Sequence, residues 1–329
     1  MRLLTLDPDY DREDLVRSIQ FAPDGQSFAA VVGQKHFATT VCWWDLLADQ
    51  RIRLEHTDAG SGLGRYADPA VSPDLSILAV HTHEPQLGSD AIALTRFTDG
   101  SAAELEADNR FFSPRHFAFS ADGETLLVAG RNNSAQIACW DVAALLRGGP
   151  QATTMAAGEP ISLHYSGSPT AMACSPDGRF LAVGSELWIQ VFDWSRHQCV
   201  RILHLDPTNP DRVCRQLAFS PDGSCLANRA GKAGSVAVWD LTGSGSVQPS
   251  ATLKRPGRQT GVAFSPDGRT LATSSADGTV TFWDAKTFAE RARFDWKLGT
   301  LHCVAFAPDG LTCAAGADTG RVVVWDVES

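Results

Sequence analysis

The chain has 329 residues, of which 43% are hydrophobic and 20% charged, and its formal net charge is −10. This composition is typical of a globular protein with a large apolar core, and the negative charge argues against general binding to nucleic acid or anionic membranes. No apolar stretch approaches the ~18 residues of a membrane span, and the apolar run at the N-terminus is too short for a signal peptide. We therefore expect a cytoplasmic protein whose eight cysteines are reduced.

The first recurring element is a turn. A short apolar run leads into Pro-Asp-Gly or a close variant, at 21–25, 71–75, 119–123, 174–178, 219–223, 264–268 and 306–310. Proline presets the first corner of a type I turn, Asp bonds the local backbone and Gly tolerates positive φ. The flanking runs are short, apolar and rich in β-branched or aromatic residues. Each copy therefore predicts a β-hairpin.

A second element follows each turn 15 to 20 residues after its Asp. It pairs a large aromatic residue with Asp, and its six recognisable copies are Trp44-Asp45, Trp140-Asp141, Phe192-Asp193, Trp239-Asp240, Trp283-Asp284 and Trp325-Asp326. In the second repeat it is degenerate, within Arg96-Phe97-Thr98. An alternating strand precedes most copies and a short strand follows. We expect the aromatic ring to fill the space between neighbouring repeats and the Asp to fix the next turn.

Four strands in each period of about 40–50 residues indicate a propeller blade. The predicted fold is all-β: a seven-bladed β-propeller with four antiparallel strands per blade. The last repeat is one strand short, so we expect the N-terminal strand, residues 2–6, to complete it and close the ring. We expect residues 1–329 to form a single domain. Its predicted blades are approximately 15–57, 66–106, 114–165, 169–206, 213–254, 260–295 and 301–329 plus the strand 2–6.

The two elements and their spacing resemble the WD-repeat (WD40) β-propeller family over essentially the whole chain. The resemblance implies a non-catalytic scaffold that binds a protein or peptide. The sequence departs from the family where a Gly-His pair usually precedes the first strand of a blade. The corresponding stretches are 255–258 and 297–299, and neither contains His. We therefore expect the buried polar network of the family to be incomplete, although Asp277 and Asp318 retain its turn acids.

No catalytic motif is found, so we predict neither an enzyme nor a bound cofactor. The alternating acids of residues 7–11 lack the Gly and the bidentate acid of a calcium loop. The pair His81 and His83 could hold zinc beside Glu84, but the segment is expected to end a strand and enter an exposed loop. We therefore predict no metal site.

The most informative pattern lies four residues before the aromatic position of each turn. Three copies carry Arg there and one carries His: Arg17, Arg115, Arg215 and His302. In a propeller this position starts the innermost strand, so these side chains are predicted to line the mouth of the central channel and bind the partner. Guanidinium groups suit carboxylates and phosphates, which makes acidic and phosphorylated partners candidates. The alternative is that each Arg pairs with a nearby acid, namely Asp14, Asp68, Asp108 or Asp211.

The long segments between blades, such as 58–66, 147–169 and 206–215, are the other places where recognition could occur. The leading functional hypothesis is a monomeric interaction scaffold. The alternatives are a propeller enzyme of the metal-dependent lactonase or hydrolase type, and a sensor domain of a larger signalling protein.

Overall fold

Each recurring turn joins the first two strands of a four-stranded antiparallel sheet in the computed structural model. There are seven such sheets, so the predicted seven-bladed propeller is confirmed. The structure describes residues 1–6, 15–33, 39–57, 69–84, 89–106, 113–131, 136–148, 161–164, 169–206, 212–231, 234–243, 248–253, 255 and 257–327.

Blades 1 to 3 occupy the first half of the chain, and the short strand β1 (Arg2–Thr5) precedes them. Blade 1 consists of β2 (Leu15–Phe21), β3 (Ser27–Gly33), β4 (Thr39–Asp45) and β5 (Gln50–Thr57). Blade 2 consists of β6 (Ala70–Val71), β7 (Ile77–Glu84), β8 (Ser89–Arg96) and β9 (Ala102–Glu106). Blade 3 consists of β10 (Ser113–Phe119), β11 (Thr125–Arg131), β12 (Gln136–Asp141) and β13 (Ile161–Ser162). A helix, α1 (Val142–Gly148), follows β12.

Blades 4 to 7 repeat the same order with shorter connections. Blade 4 consists of β14 (Ala171–Cys174), β15 (Phe180–Gly184), β16 (Trp188–Asp193) and β17 (Gln198–His204), and blade 5 of β18 (Cys214–Phe219), β19 (Cys225–Ala230), β20 (Ser235–Asp240) and β21 (Ala251–Leu253). Blade 6 consists of β22 (Gln259–Phe264), β23 (Thr270–Ser275), β24 (Thr279–Asp284) and β25 (Glu290–Asp295). Blade 7 contains β26 (Leu301–Phe306), β27 (Thr312–Ala317) and β28 (Arg321–Asp326).

The turn of each hairpin is held by its own side chains. In five blades a serine hydroxyl donates to the Asp two residues later over 2.5–2.6 Å and accepts the amide of the residue five positions later; these serines are Ser72, Ser120, Ser175, Ser220 and Ser265. The last residue of the turn is usually Gly because it adopts positive φ, which is 67° at Gly25. In the second copy Leu75 takes φ 61°, where a side chain is disfavoured.

The aromatic residue of the second element packs against the preceding blade. Trp239 lies in a core with Ala182 and Val191 of blade 4, and Trp325 packs with Val280 of blade 6. The Asp that follows bonds the next turn, as when Asp45 accepts the amides of residues 47 and 48 over 2.8 and 2.9 Å. Each tryptophan therefore joins two sheets while its Asp shapes the third turn of its own blade.

The N-terminal strand completes blade 7, as expected. Strand β1 pairs antiparallel with β28, with Leu3 opposite Val323. Leu4 and Leu6 are 4% and 1% exposed, in a core shared with Val322 and Val324. The sheet that closes the ring is thus built from segments more than 300 residues apart in the chain.

Blade 2 and helix α1 are the irregular parts. In blade 1 Trp44 pairs with Phe28 of the second strand, and in blade 2 the equivalent pair is Thr95 with Leu78. Thr95-Arg96 therefore occupies the Trp-Asp position of blade 2. The ring of Phe97 instead contacts Trp43 of blade 1 edge-on, with centroids 4.8 Å apart. Helix α1 was not predicted from the sequence. The carboxylate of Asp141, just before the helix, accepts a hydrogen bond from the amide of Ala144 over 2.6 Å and so caps the first turn.

Candidate binding face at the channel mouth

The two ends of the propeller differ in what they carry. We call the end with the Pro-Asp-Gly turns the turn face and the opposite end the loop face. Innermost strands start at the loop face, since Leu15 at the start of β2 lies opposite Gly33 at the end of β3. The second strand of each blade ends at the same face and the third strand begins there, as Gly33 and Thr39 do in blade 1. The predicted channel-mouth residues therefore belong to the loop face.

The predicted rim position coincides with a β-bulge. The register of the innermost strand slips around one residue in five blades, and the residue passed over is Arg17, Arg115, Arg215, Thr260 or His302. A bulged residue does not pair with the neighbouring strand. Its side chain therefore need not follow the alternation of side chains between the two faces of the sheet. The sequence pattern therefore marks a real feature of the backbone.

The rim side chains differ in their surroundings. Arg17 and Arg215 are exposed, and the guanidinium of Arg17 lies over Gly33, where an added Cβ would clash with it. His302 is half-buried. Arg115 lies within β10, but its side chain is outside the described part of the chain, as are the four acids considered as local partners for the rim.

His302 lies in a basic neighbourhood. Burial lowers the pKa of its imidazole, and the charges of Arg258, Arg229 and Arg17 lower it further, while Asp318 raises it. The carboxylate of Asp318 also accepts the amide of Thr300 over 3.2 Å. His302 is therefore neutral at pH 7 and sits among three guanidinium groups contributed by other blades.

Sequence reasoning missed Arg229. It lies in β19 opposite Gln216, and its charge interacts with those of Arg215 and Arg258. Burial lowers its pKa to about 10, and the two neighbouring guanidinium groups act in the same direction. We call Arg17, Arg215, Arg229, Arg258 and His302 the basic arc, because they come from the four consecutive blades 5, 6, 7 and 1.

Three members of the basic arc have no counter-ion among the residues described. Within that part of the chain, Arg215, Arg229 and Arg258 form no ion pair, whereas Arg179 pairs with Asp177 over 2.6 Å. The basic arc therefore concentrates positive charge at one end of a molecule whose net charge is −10.

The turn face has a different character. A cavity of about 720 Å³ opens there beside the innermost strands. Its lining includes Phe21, Phe119 and the turn prolines Pro23, Pro73 and Pro176. No Lys, Arg or His is among the described residues that line it, in contrast to the loop face.

The remaining candidates gain nothing from the structure. Residues 7–11 lie outside the described part. His81 to Glu84 all belong to β7, and the side chain of His81 is buried. In the part of the chain that is described, no three His, Cys, Asp or Glu side chains are grouped to hold a metal ion. No helix there is long and apolar enough to cross a bilayer.

Comparison with known families gives matches in three places. The family model described as WD domain, G-beta repeat matches residues 160–193, 248–284 and 295–326, which fall mainly on blades 4, 6 and 7. These blades carry both recurring elements with little insertion between their strands.

Comparison with individual proteins extends the similarity. Protein LST8 homolog of Drosophila melanogaster is 31% identical over 185 residues, covering 52% of this chain and 51% of its own. COMPASS component SWD3 of Saccharomyces cerevisiae is 30% identical over 131 residues, 38% of each chain. The chain spans about half or less of the length of the curated relatives it matches.

The similarity to solved structures includes a match almost from end to end. The β-propeller domain of Cps50 (Swd1) from Myceliophteria thermophila superposes with a TM-score of 0.68, covering 95% of this chain and 96% of that one. The two sequences are 15% identical, so this match concerns the fold.

Proposed function

Since this chain is a seven-bladed β-propeller of the WD-repeat family, we propose that it is a non-catalytic scaffold whose loop face binds a protein or peptide partner. The basic arc is the observation that carries the proposal. Beside the neutral imidazole of His302, it holds four guanidinium groups from blades 5, 6 and 1 at one channel mouth, and three of the four lack a counter-ion among the described residues.

The name of one relative supports the class of function. SWD3 is named as a component of COMPASS, that is, of an assembly. A rigid ring that displays loops from seven blades suits such a role, because recognition can vary in the loops without disturbing the sheets. The predicted partner is acidic or phosphorylated, since guanidinium groups bind carboxylates and phosphates through paired hydrogen bonds.

We also propose that residues 1–329 act as one domain, as a monomer in the cytoplasm. The placement of the cysteines agrees with this proposal, because five of the eight are buried singly within the sheets, where free thiols commonly pack. Burial raises the pKa of Cys214 and Cys303 to about 12, which makes these thiols unreactive.

The test is partner capture with charge-reversed variants. Wild type and a triple variant, Arg17→Glu with Arg115→Glu and Arg215→Glu, are used as bait in native lysate. The matched control, Arg291→Glu with Arg293→Glu, reverses charges on the exposed outer strand β25. We expect the triple variant to lose at least ~90% of a specific partner that the control retains. Equal capture by all three baits would rule out the loop face as the binding surface.

A further inference from the structure

Arg229 stands at a repeat position where a long charged side chain is out of place. The corresponding residues of the other blades are Val31, His81, Ala129, Gly184, Ser274 and Gly316. At Gly184 an added Cβ would clash with Cys214 of the next blade, and at Gly316 it would clash with Val16 of the next blade. The position therefore faces the next blade round the ring, which for Arg229 is blade 6.

The side chain of Arg229 is not satisfied in that interface. Its Nε is buried and has no hydrogen-bond partner among the described residues. Gln259 starts the innermost strand of blade 6 and is 3% exposed, and its Oε1 is likewise buried without a partner. Buried guanidinium groups are normally paired and hydrogen-bonded, because their desolvation is costly. A ligand atom that accepts a hydrogen bond from Nε of Arg229 would satisfy this buried donor.

The charges around Arg229 specify the sign of that ligand. Arg215 is the bulged residue next to Gln216, which pairs with Arg229, and Cγ of Arg258 would lie 2.8 Å from a Cβ added at Gly234 of blade 5. Both arginines are exposed at the loop face, and their charges interact with that of Arg229. Neither forms an ion pair with another residue in the described ranges. The three like charges repel one another, and an anion between them would offset that repulsion.

We propose that Arg215, Arg229 and Arg258 form a phosphate-binding pocket between blades 5 and 6. The inference rests on the proposed function and identifies the group of the partner that the loop face recognises: a phosphorylated side chain. A phosphate monoester carries a charge of about −1.5 to −2 and three acceptor oxygens, which matches three guanidinium groups better than one carboxylate does. The exposed Arg215 and Arg258 admit the group, and Arg229 receives it at the inner end.

The test uses the purified full chain and follows its melting temperature in inorganic phosphate, with chloride at equal ionic strength as reference. A ligand that binds only the folded state raises Tm by mass action. We expect a rise of about 3 °C for the wild type at phosphate concentrations far above Kd. O-phosphoserine is expected to raise Tm as phosphate does, whereas serine and glutamate are not.

Three variants separate binding from a structural role. Arg229→Met should melt at or above the wild-type temperature without phosphate, because it removes a half-buried unpaired charge whose Nε has no hydrogen-bond partner among the described residues, and should lose the phosphate-dependent rise. Arg215→Met with Arg258→Met, which changes exposed residues, should reduce the rise by at least ~half. Arg293→Met on the outer strand β25 should keep it in full.

Two outcomes would overturn the pocket: a wild-type Tm that phosphate leaves unchanged, or an Arg229→Met protein that melts well below the Arg293→Met control. Either result is distinguishable from failure of the proposed function. If the loop-face triple variant still loses its partner, the scaffold role stands and only the phosphate pocket is wrong. If capture survives in every variant, the loop face itself is wrong.

Discussion

One serine hydroxyl braces each of five hairpin turns. Ser220 is 5% exposed, donates to Asp222 over 2.6 Å and accepts the amide of Cys225 over 2.8 Å. Ala22 and Ala307 replace the serine in blades 1 and 7. The turn therefore forms without the hydroxyl, and the serine contributes stability to a conformation that Pro, Asp and Gly already favour.

Ser220→Ala is expected to lower the free energy of unfolding by about 1–2 kcal/mol, because the amide of Cys225 loses its acceptor. Ala22→Ser should act in the opposite direction, by about 0.5–1 kcal/mol, if its hydroxyl reproduces the bonds of the other turns. Urea unfolding measures both. Identical midpoints for the two variants and the wild type would show that the hydroxyl has no energetic role.

The rim position could be found from the sequence because it keeps a constant distance from the turn. Arg229 could not be found in this way, since it lies on the second strand and joins the proposed pocket only through the packing of blade 5 against blade 6. The available signal was that this one charged residue occupies a position where the other repeats carry small or apolar side chains or His81.

At the scale of the elements, strand β1 is short but closes the ring. It has only four residues, yet it covers β28, which would otherwise be an unpaired sheet edge. Leu6, just beyond it, is 1% exposed, and its carbonyl accepts from Arg51 over 3.4 Å. The segment therefore joins blade 7 to blade 1 as well as completing its own sheet.

Leu6→Ala should destabilise the protein by about 2–5 kcal/mol, the range for a fully buried leucine. Leu3→Ala is the matched control: it is 45% exposed on the same strand, and its effect should stay within about 0.5 kcal/mol. Denaturant unfolding of the two proteins side by side provides the comparison. Equal losses would mean that the burial of Leu6 stabilises the protein no more than an exposed leucine does.

The irregular elements were harder to predict than the repeats. Helix α1 follows the Asp of a Trp-Asp pair, so one residue both ends a strand and caps a helix. Its run of Ala and Leu favours helix, but the repeat pattern favoured a turn there. In blade 2 the Trp-Asp pair is missing, and only the strand register identifies Thr95-Arg96 as its counterpart.

At the scale of the whole molecule, the turns form a ring of carboxylates around the turn face. The serine hydroxyls lower the pKa of Asp122, Asp222 and Asp267 from 3.8, and the amides of residues 124, 224 and 269 lower it further. A carboxyl group whose pKa is lowered by folding stabilises the folded state above its unfolded pKa. That contribution is lost as the pH falls through the folded value.

The urea midpoint should therefore decline as the pH is lowered from about 5 to about 2. A variant carrying Ser120→Ala, Ser220→Ala and Ser265→Ala is expected to start lower at pH 5 and to decline less, because its carboxylates have lost their hydroxyl donors. Parallel declines in the two proteins would assign the acid sensitivity to other groups.

The pairing of Leu3 with Val323 has a consequence for how the chain folds. Six blades consist of neighbouring segments and can form as the polypeptide lengthens, but the seventh brings together strands separated by almost the entire chain. Contacts of such high order carry the largest loop-closure entropy and form slowly. Ring closure is then the last step of folding, and until it occurs the nascent protein presents two unpaired strand edges to chaperones and to other chains.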